Sequence, residues 1–309
     1  MVRDGILRME KKSKLLYDGI LLLGIVLVVF AGVKLYQRYA DREASNRLYE
    51  DLNEQYILGP EQILSYAEEL VSPSEEDSTG KDDVSEEEAA DEVPEVKELP
   101  WYRMTRVNFE ALKEINQDVV GWISFENEDI SYPIVYSGDN SKYLQKGFDG
   151  KRASAGCIFL DGENTPDLGD SRLVIYGHNM KNLSMFGKLK YYREEGYYED
   201  HQYFQILTED TIYRYQVFSY FEVAENETEI CRVDFTSEKD YSDLIKELLK
   251  RSMKDTGIEV DGNDTVATLL TCYTTGRRML INAVMVDSYH VDEKEGEKPE
   301  QEIVQESIL

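Results

Sequence analysis

The sequence predicts a mainly β domain, a barrel or sandwich, that follows one membrane-spanning helix. The first observation is a series of eight short runs rich in Val, Ile, Tyr and Phe between residues 101 and 292, separated by Gly, Asn and Asp turns. The second is an uninterrupted apolar stretch near the N-terminus. The third is an acidic segment, almost without large apolar residues, that lies between the two. Eight β-type runs are enough for a small closed barrel.

The apolar stretch, residues 15–36, predicts a membrane helix. Its centre from Gly19 to Val33 carries no charge, and the residues before it extend it toward the ~20 that a spanning helix needs. Five basic residues against two acidic ones precede the stretch, so the positive-inside rule places residues 1–14 in the cytoplasm and the rest of the chain outside. A cleaved signal peptide is the alternative, but no convincing small-residue cleavage site follows the apolar core. We therefore expect a retained anchor.

Two polar segments join the anchor to the β domain. Residues 37–71 predict a helical stalk with a thin apolar stripe, interrupted at Gly59 and Pro60. Residues 72–100 predict a disordered acidic linker, because their like charges repel and they cannot bury enough apolar surface to fold. The same reasoning predicts an acidic tail over residues 293–309, which leaves residues 101–292 as the folded domain.

Two helices are expected within this domain. The segment from Ser237 to Met253 carries apolar residues at helical spacing, and Ser237 with Asp240 forms a possible cap pair. A shorter helix around Phe109 precedes the first β run. The eight runs are VVGWISF, ISYPIVY, GCIFLD, RLVIYG, YFQILT, TIYRYQVFSYFEV, TVATLLTC and MLINAVMV.

Composition excludes several classes of function. The net charge of −28 disfavours nucleic acid, since binding to phosphates requires clustered lysine and arginine. The chain has three cysteines, widely separated and without a C-x-x-C motif, and three histidines without ligand spacing. We therefore expect no disulfide framework, no metal site and no cofactor.

Cys272 lies at the end of one β run, between polar residues. His178 lies at the end of another, directly after the strand LVIYG. A thiolate nucleophile needs a base or a positive charge close by. Arg277 and Arg278 begin the strand that follows Cys272, and a guanidinium there can return beside the thiol. Adjacent strand residues face opposite sides, so only one of the two arginines can do so, and periodicity does not choose between them.

Several ordered blocks make residues 108–287 resemble a class B sortase, a membrane-anchored cysteine transpeptidase of Gram-positive bacteria. They are INQDVVGWISFENEDISYPIVYSGDNSKYL, AGCIFLD, LVIYGHNMKNLSMFGKLKYY, TLLTC and the arginine that begins RMLINAV. The resemblance implies an eight-stranded sortase β-barrel, with a helix before it and a long helix between two late strands.

The resemblance also implies roles for individual residues. Cys272 matches the nucleophile and His178 the histidine that gives and takes protons. Arg278 matches the arginine best, with Arg277 as the alternative. The remaining matches are expected to bind substrate: Thr271, Leu270, which stands where class B motifs often carry serine, and Asn179.

The implied reaction cleaves a C-terminal sorting signal after threonine and transfers the protein to an amine. The expected partners are surface proteins with signals of the Asn-Pro-x-Thr type and an amine from a peptidoglycan precursor or a pilin lysine. The expected location is the cell membrane, single-pass, with the catalytic domain extracellular. The alternatives are a cysteine protease that only hydrolyses, and a non-catalytic membrane-anchored β domain that binds peptides.

Overall fold

The computed structural model describes residues 2–59, 100–103, 105–274 and 276–291, apart from the side chains of residues 2–16 and 272–274. The chain divides into two compact units, residues 1–47 and 48–309. The predicted linker, except Pro100, and the predicted tail lie outside the described residues. The domain boundaries drawn from the sequence stay predictions.

Helix α1, Val2–Tyr56, contains the apolar stretch. In the first unit its apolar side chains are exposed, with Leu22 at 65% and Phe30 at 60%. It is the one helix among the described residues that is long and apolar enough to cross a membrane. An exposed apolar surface of this length is stable in lipid and costly in water, which makes the helix a candidate membrane anchor.

The second unit begins within α1, and the end of this helix belongs to the core of the β domain. Tyr49 is 5% exposed and Leu52 is 2% exposed. The chain then forms β1, Ile57–Leu58, which pairs with β2, Arg106–Val107. Residues 37–40, at the start of the predicted stalk, are thus exposed, and residues 48–58 are part of the folded domain. Residues 60–71 of the predicted stalk lie outside the described residues.

Eight further strands form a closed barrel. In chain order they are β3 (Val119–Phe125), β4 (Ser131–Val135), β5 (Ile158–Leu160), β6 (Arg172–Tyr176), β7 (Tyr203–Leu207), β8 (Thr211–Ala224), β9 (Val266–Thr274) and β10 (Arg277–His290). Around the barrel the order is β10-β8-β7-β3-β4-β5-β6-β9. Each predicted β run corresponds to one strand, so the predicted eight-stranded barrel is confirmed. Two neighbouring pairs, β4 with β5 and β6 with β9, are parallel, and the others are antiparallel.

The helices of the domain are short apart from one. They are α2 (Phe109–Ile115), α3 (Tyr197–Asp200) and α4 (Glu238–Arg251). Asn108 caps α2 by accepting from the N–H of Ala111, and Ser237 caps α4 by accepting from the N–H of Asp240 at 3.2 Å. Both predicted helices are therefore present, and the long one begins at the predicted cap.

Alternating residues divide the strands between two apolar clusters. One fills the barrel and includes Trp122, Ile134, Ile175, Phe204, Leu269 and Ile281. The other covers the outside of β8, β9 and β10, where α4 packs its apolar face; it includes Phe221, Leu270, Leu280, Tyr241, Leu244 and Leu248. The long helix is thus fixed against the strands that carry the nucleophile motif.

A buried polar network crosses the sheet on the side of α4. Arg172 on β6 is fully buried, and its Nε and Nη2 donate to Thr268 Oγ1 on β9 at 3.2 and 3.1 Å. The Thr268 hydroxyl donates in turn to Asn282 Oδ1 on β10 at 2.9 Å. Burial lowers the pKa of Arg172 to about 10. Each of three adjacent strands thus contributes one member of the network.

Candidate active site

The parallel pairing of β6 with β9 brings His178 and Cys272 to equivalent positions. Tyr176 is the register partner of Leu270, and the N–H of Gly177 donates to the Leu270 carbonyl at 3.1 Å, which extends the pairing beyond β6. His178 and Cys272 each follow this pair by two residues. The two residues singled out in the sequence therefore stand next to each other at the same end of two neighbouring strands.

Arg278 occupies the corresponding position on the other side of β9. In the antiparallel pairing of β9 with β10 it is the register partner of Cys272, and a register shift separates it from Arg277, which pairs with Thr274. Residues directly opposite each other in an antiparallel pair lie on the same face of the sheet. The order across three strands is thus His178, Cys272, Arg278.

The two arginines have different surroundings. Arg277 is exposed and donates through Nε to Glu222 Oε2 at 2.7 Å. The Nε of Arg193 forms an ion pair with the other oxygen of Glu222, Oε1, at 2.8 Å. Arg278 is half-buried, and its buried Nε has no hydrogen-bond partner among the residues that the structure describes. Arg277 is engaged in an ion pair, whereas no described residue accepts from the buried Nε of Arg278.

The loop that follows His178 is tightly held at both ends. A Cβ added to Gly177 would lie 2.5 Å from Ile158 Cδ1 and 2.5 Å from Phe186 Cδ2, so only glycine fits there. The N–H of Phe186 donates to the His178 carbonyl at 3.0 Å, and the N–H of Met185 donates to Tyr132 Oη at 2.9 Å. The YGHNM and SMFG blocks of the sequence therefore form one closed loop that fixes the backbone of the histidine.

The imidazole of His178 contacts a backbone carbonyl. Its Nε2 lies 2.7 Å from the oxygen of Leu144. Since a carbonyl oxygen only accepts, Nε2 carries the proton of this bond, and Nδ1 is the nitrogen left to exchange a proton. The sequence offered no signal for this partner, because the acceptor is a main-chain atom in a long connection between β4 and β5.

Tyr176, two residues before His178, forms a hydrogen-bonded pair with Asp161. Tyr176 Oη donates to Asp161 Oδ2 at 2.7 Å, and Asn140 Nδ2 donates to the same oxygen at 3.2 Å. Burial, followed by the bond to Asp161, raises the pKa of Tyr176, and the positive charge of Arg278 opposes that shift. Tyr176 thus stays neutral, and it lies within electrostatic range of Arg278. Sequence reasoning missed this pair.

The other two cysteines are unsuited to nucleophilic chemistry. Cys157 and Cys231 are free and buried. Burial raises the pKa of Cys157 to about 12 and also raises the pKa of Cys231. Both thiols therefore stay protonated near neutral pH, as expected for small packing residues.

The residues expected to bind substrate lie in different environments. Thr271 is 1% exposed, and its buried hydroxyl oxygen has no partner among the described residues. Leu270 is buried in the cluster under α4, which explains an apolar residue at a position where related motifs often carry serine. Asn179 is half-buried and forms a bridge with Met185 in the histidine loop. Their contact with substrate stays a prediction, as does the absence of a metal or cofactor.

Known proteins share this barrel. The profile of the sortase domain matches residues 123–286. The chain belongs to the sortase family. Sortase B of Listeria monocytogenes is 34% identical over 163 residues, which are 53% of this chain and 66% of that protein. The chain thus aligns with slightly less than two thirds of the length of this sortase.

Solved sortase structures agree in sequence and in fold. Clostridium perfringens sortase B is 31% identical and superimposes with a TM-score of 0.56 over 58% of this chain and 100% of that chain. A Staphylococcus aureus sortase B–substrate complex is 29% identical, with a TM-score of 0.55 over 58% of this chain and 84% of that chain. The predicted resemblance to class B sortases is confirmed.

Proposed function

We propose that this sortase is a cysteine transpeptidase that cleaves a sorting signal and joins the cleaved protein to an amine. The observation that carries the proposal is the register of three adjacent strands, which sets His178, Cys272 and Arg278 side by side. A nucleophile, a proton carrier and a cation are the groups that acyl transfer through a thioester requires.

In the first step, the thiolate of Cys272 attacks the main-chain carbonyl carbon of the threonine in the signal. Arg278, whose buried Nε lacks a partner among the described residues, and a nearby backbone N–H stabilise the negative charge on the carbonyl oxygen. His178, as imidazolium, gives its Nδ1 proton to the leaving amine. The C–N bond breaks and a thioester to Cys272 remains.

In the second step, neutral His178 removes a proton from an incoming amine. The amine nitrogen attacks the thioester carbonyl, a new amide bond forms and the thiolate of Cys272 leaves. The bond from Nε2 to the Leu144 carbonyl, at 2.7 Å, keeps the imidazole in one orientation through both steps. Water in place of the amine would give hydrolysis.

Membership of the sortase family supports a proposal for the substrates. The S. aureus sortase B–substrate complex supports protein substrates with a C-terminal sorting signal, and we propose a motif of the Asn-Pro-x-Thr type. The accepting amine belongs to a peptidoglycan precursor or a pilin lysine. The candidate anchor in α1 supports a location at the cell membrane, with residues 1–14 cytoplasmic and the barrel extracellular. Tethering would raise the effective concentration of membrane-bound substrates.

The test is an amine-dependent ligation assay with the full-length protein in detergent. Fluorescent peptides with Asn-Pro-x-Thr or Leu-Pro-x-Thr signals are incubated with and without triglycine, and the products are identified by mass spectrometry. We expect ligated product that depends on triglycine and is lost in Cys272→Ala. Cleavage that is indifferent to the amine, with no ligated product, would support a hydrolytic protease instead, and tight peptide binding without any cleavage would support a non-catalytic binding domain.

A further inference from the structure

The end of α1 reaches a loop of the barrel through one tyrosine. Tyr49 is 5% exposed, and its hydroxyl donates to the carbonyl oxygen of Gly156 at 2.5 Å. The same hydroxyl lies 3.5 Å from the Sγ of Cys157. Tyr49 precedes the stretch that matches the sortase domain, which begins at residue 123.

Gly156 and Cys157 fix the segment that includes Leu144. Gly156 has a φ of +59°, and a Cβ at this position would lie 2.4 Å from the oxygen of Tyr143 and 2.9 Å from the oxygen of Leu144. The N–H of Cys157 donates to the Tyr143 carbonyl at 3.1 Å, and its Sγ donates to the Lys146 carbonyl at 3.2 Å. The backbone held by Tyr49 is therefore in direct contact with the carbonyl that accepts from His178.

A second contact leads from the ring of Tyr49 to the other side of the histidine loop. The ring packs edge-to-face on Tyr132, with centroids 5.4 Å apart. The hydroxyl oxygen of Tyr132 accepts from the N–H of Met185, which lies in the loop closed by His178 and Phe186. Tyr49 thus supports both the acceptor of the imidazole and the loop that carries its backbone.

We propose that Tyr49 is a positioning residue for His178. Its hydroxyl fixes Gly156, Gly156 fixes the Leu144 carbonyl, and that carbonyl selects the Nε2-protonated imidazole and its direction. This inference rests on the proposed role of His178 as proton carrier. The helix before the barrel is therefore expected to contribute to catalysis by positioning His178, because a small displacement of a catalytic group costs large factors in rate.

The test compares Tyr49→Phe with Asn53→Ala in the full-length protein. Tyr49→Phe removes one hydroxyl and keeps the ring on Tyr132. Asn53 is the matched control for docking of the helix, because its side-chain amide donates to the Ser131 carbonyl at 3.0 Å and to the main-chain carbonyl of Tyr49 at 2.8 Å, and neither bond involves the Tyr49 hydroxyl or the Leu144 segment. Ligation kinetics give kcat and KM, and 15N spectra of histidine-labelled protein report the tautomer, a tractable readout with three histidines in the chain.

We expect Tyr49→Phe to lower kcat roughly 5- to 20-fold with KM within about twofold, in line with the sensitivity of catalysis to orientation. The 15N signals of His178 should show a reduced share of the Nε2-protonated tautomer, and Asn53→Ala should retain kcat and these signals. Unchanged kcat and signals in Tyr49→Phe, or an equal loss in Asn53→Ala, would overturn the inference. A wild-type protein that ligates no peptide would count against the proposed function, and the His178 signals alone would then decide the role of Tyr49.

Discussion

Arg278 lies directly opposite Cys272 in the pairing of β9 with β10, although the adjacent Arg277 is one residue closer to Cys272 in sequence. The register shift between the two arginines places them in different environments, one beside the nucleophile position and one in an ion pair with Glu222. The sequence left open which arginine lies beside Cys272, and the register shift in β10 places Arg278 there.

Arg278→Ala should lower kcat by roughly 10²- to 10³-fold with little change in KM, because it removes a donor to the developing oxyanion. The matched control is Arg277→Ala, which breaks an ion pair with the largely buried Glu222 carboxylate but leaves Arg193 beside that carboxylate, and it should keep kcat within about threefold. Steady-state ligation kinetics and thermal unfolding of both variants check this. A greater loss of kcat in Arg277→Ala than in Arg278→Ala would reverse the assignment.

Thiol labelling should distinguish Cys272 from the other cysteines. We expect a methanethiosulfonate reagent to modify the folded protein once, at Cys272, because burial raises the pKa of both Cys157 and Cys231. Intact mass spectrometry counts the adducts, and Cys272→Ala should show none until urea exposes the remaining thiols. Early modification of Cys157 or Cys231 in the folded protein would contradict the assignment.

Gly177→Ala should impair both stability and activity. The new Cβ would overlap Ile158 and Phe186, each at 2.5 Å, and overpacking of this kind costs roughly 1–3 kcal/mol. The backbone displacement would be passed to His178, the next residue. Gly59→Ala is the control, since its Cβ would lie more than 4 Å from every atom in the part of the chain that the structure describes. Urea unfolding and ligation rates measure the two effects, and a Gly177→Ala protein as stable and active as wild type would refute the packing argument.

The buried Arg172 should respond differently to two substitutions. Arg172→Ala leaves a cavity and unpaired oxygens on Thr268 and Arg232, so we expect a loss of about 3 kcal/mol or more in the free energy of unfolding. Arg172→Met fills most of the volume and removes the cost of burying a charge, and it should lose clearly less. Urea denaturation measures both. Equal losses would show that the volume of the side chain contributes little.

Stability should fall in acid partly through Asp118. Although burial acts to raise its pKa, hydrogen bonds from Lys142 and Tyr143 outweigh burial and hold the pKa of this carboxyl below its ordinary value. Its contribution is therefore fully present above about pH 4 and is lost as the pH falls through the lowered folded value.

We expect Asp118→Asn to lower the melting temperature near neutral pH and to flatten its decline as the pH falls below about 4. Thermal unfolding followed over this range checks the prediction. Glu110→Gln, an exposed carboxyl on α2, is the control and should follow the wild-type curve. A wild-type slope in Asp118→Asn would indicate that other carboxyls dominate acid unfolding.

Much of the fold could be predicted from local signals. The strands are rich in β-branched and aromatic residues, and Ser237 marks the start of the long helix, so each element carries its own evidence. The packing of Tyr49 and Leu52 in the domain core was not predicted, because a thin apolar stripe on a helix does not say what it packs against.

The residues of the candidate site are a prediction from the sequence, and their arrangement could not be predicted from it. Spacing along the chain does not report which strands become neighbours, so the adjacency of His178 and Cys272 required the resemblance or the fold. The acceptor of His178 is a main-chain oxygen, and the choice between the arginines depends on a register shift; neither leaves a pattern in side-chain types.

The parallel seam between β6 and β9 also has a consequence for the maturation of the enzyme. It joins residues such as Arg172 and Thr268 that are 96 positions apart, and non-local pairings of this kind form late because the intervening chain must first be ordered. β9 and β10 are the last strands of the barrel in chain order, so they are synthesised last. The thiol proposed as the nucleophile therefore acquires its neighbours only when the rest of the barrel is in place, and we expect an incomplete chain to lack a working nucleophile.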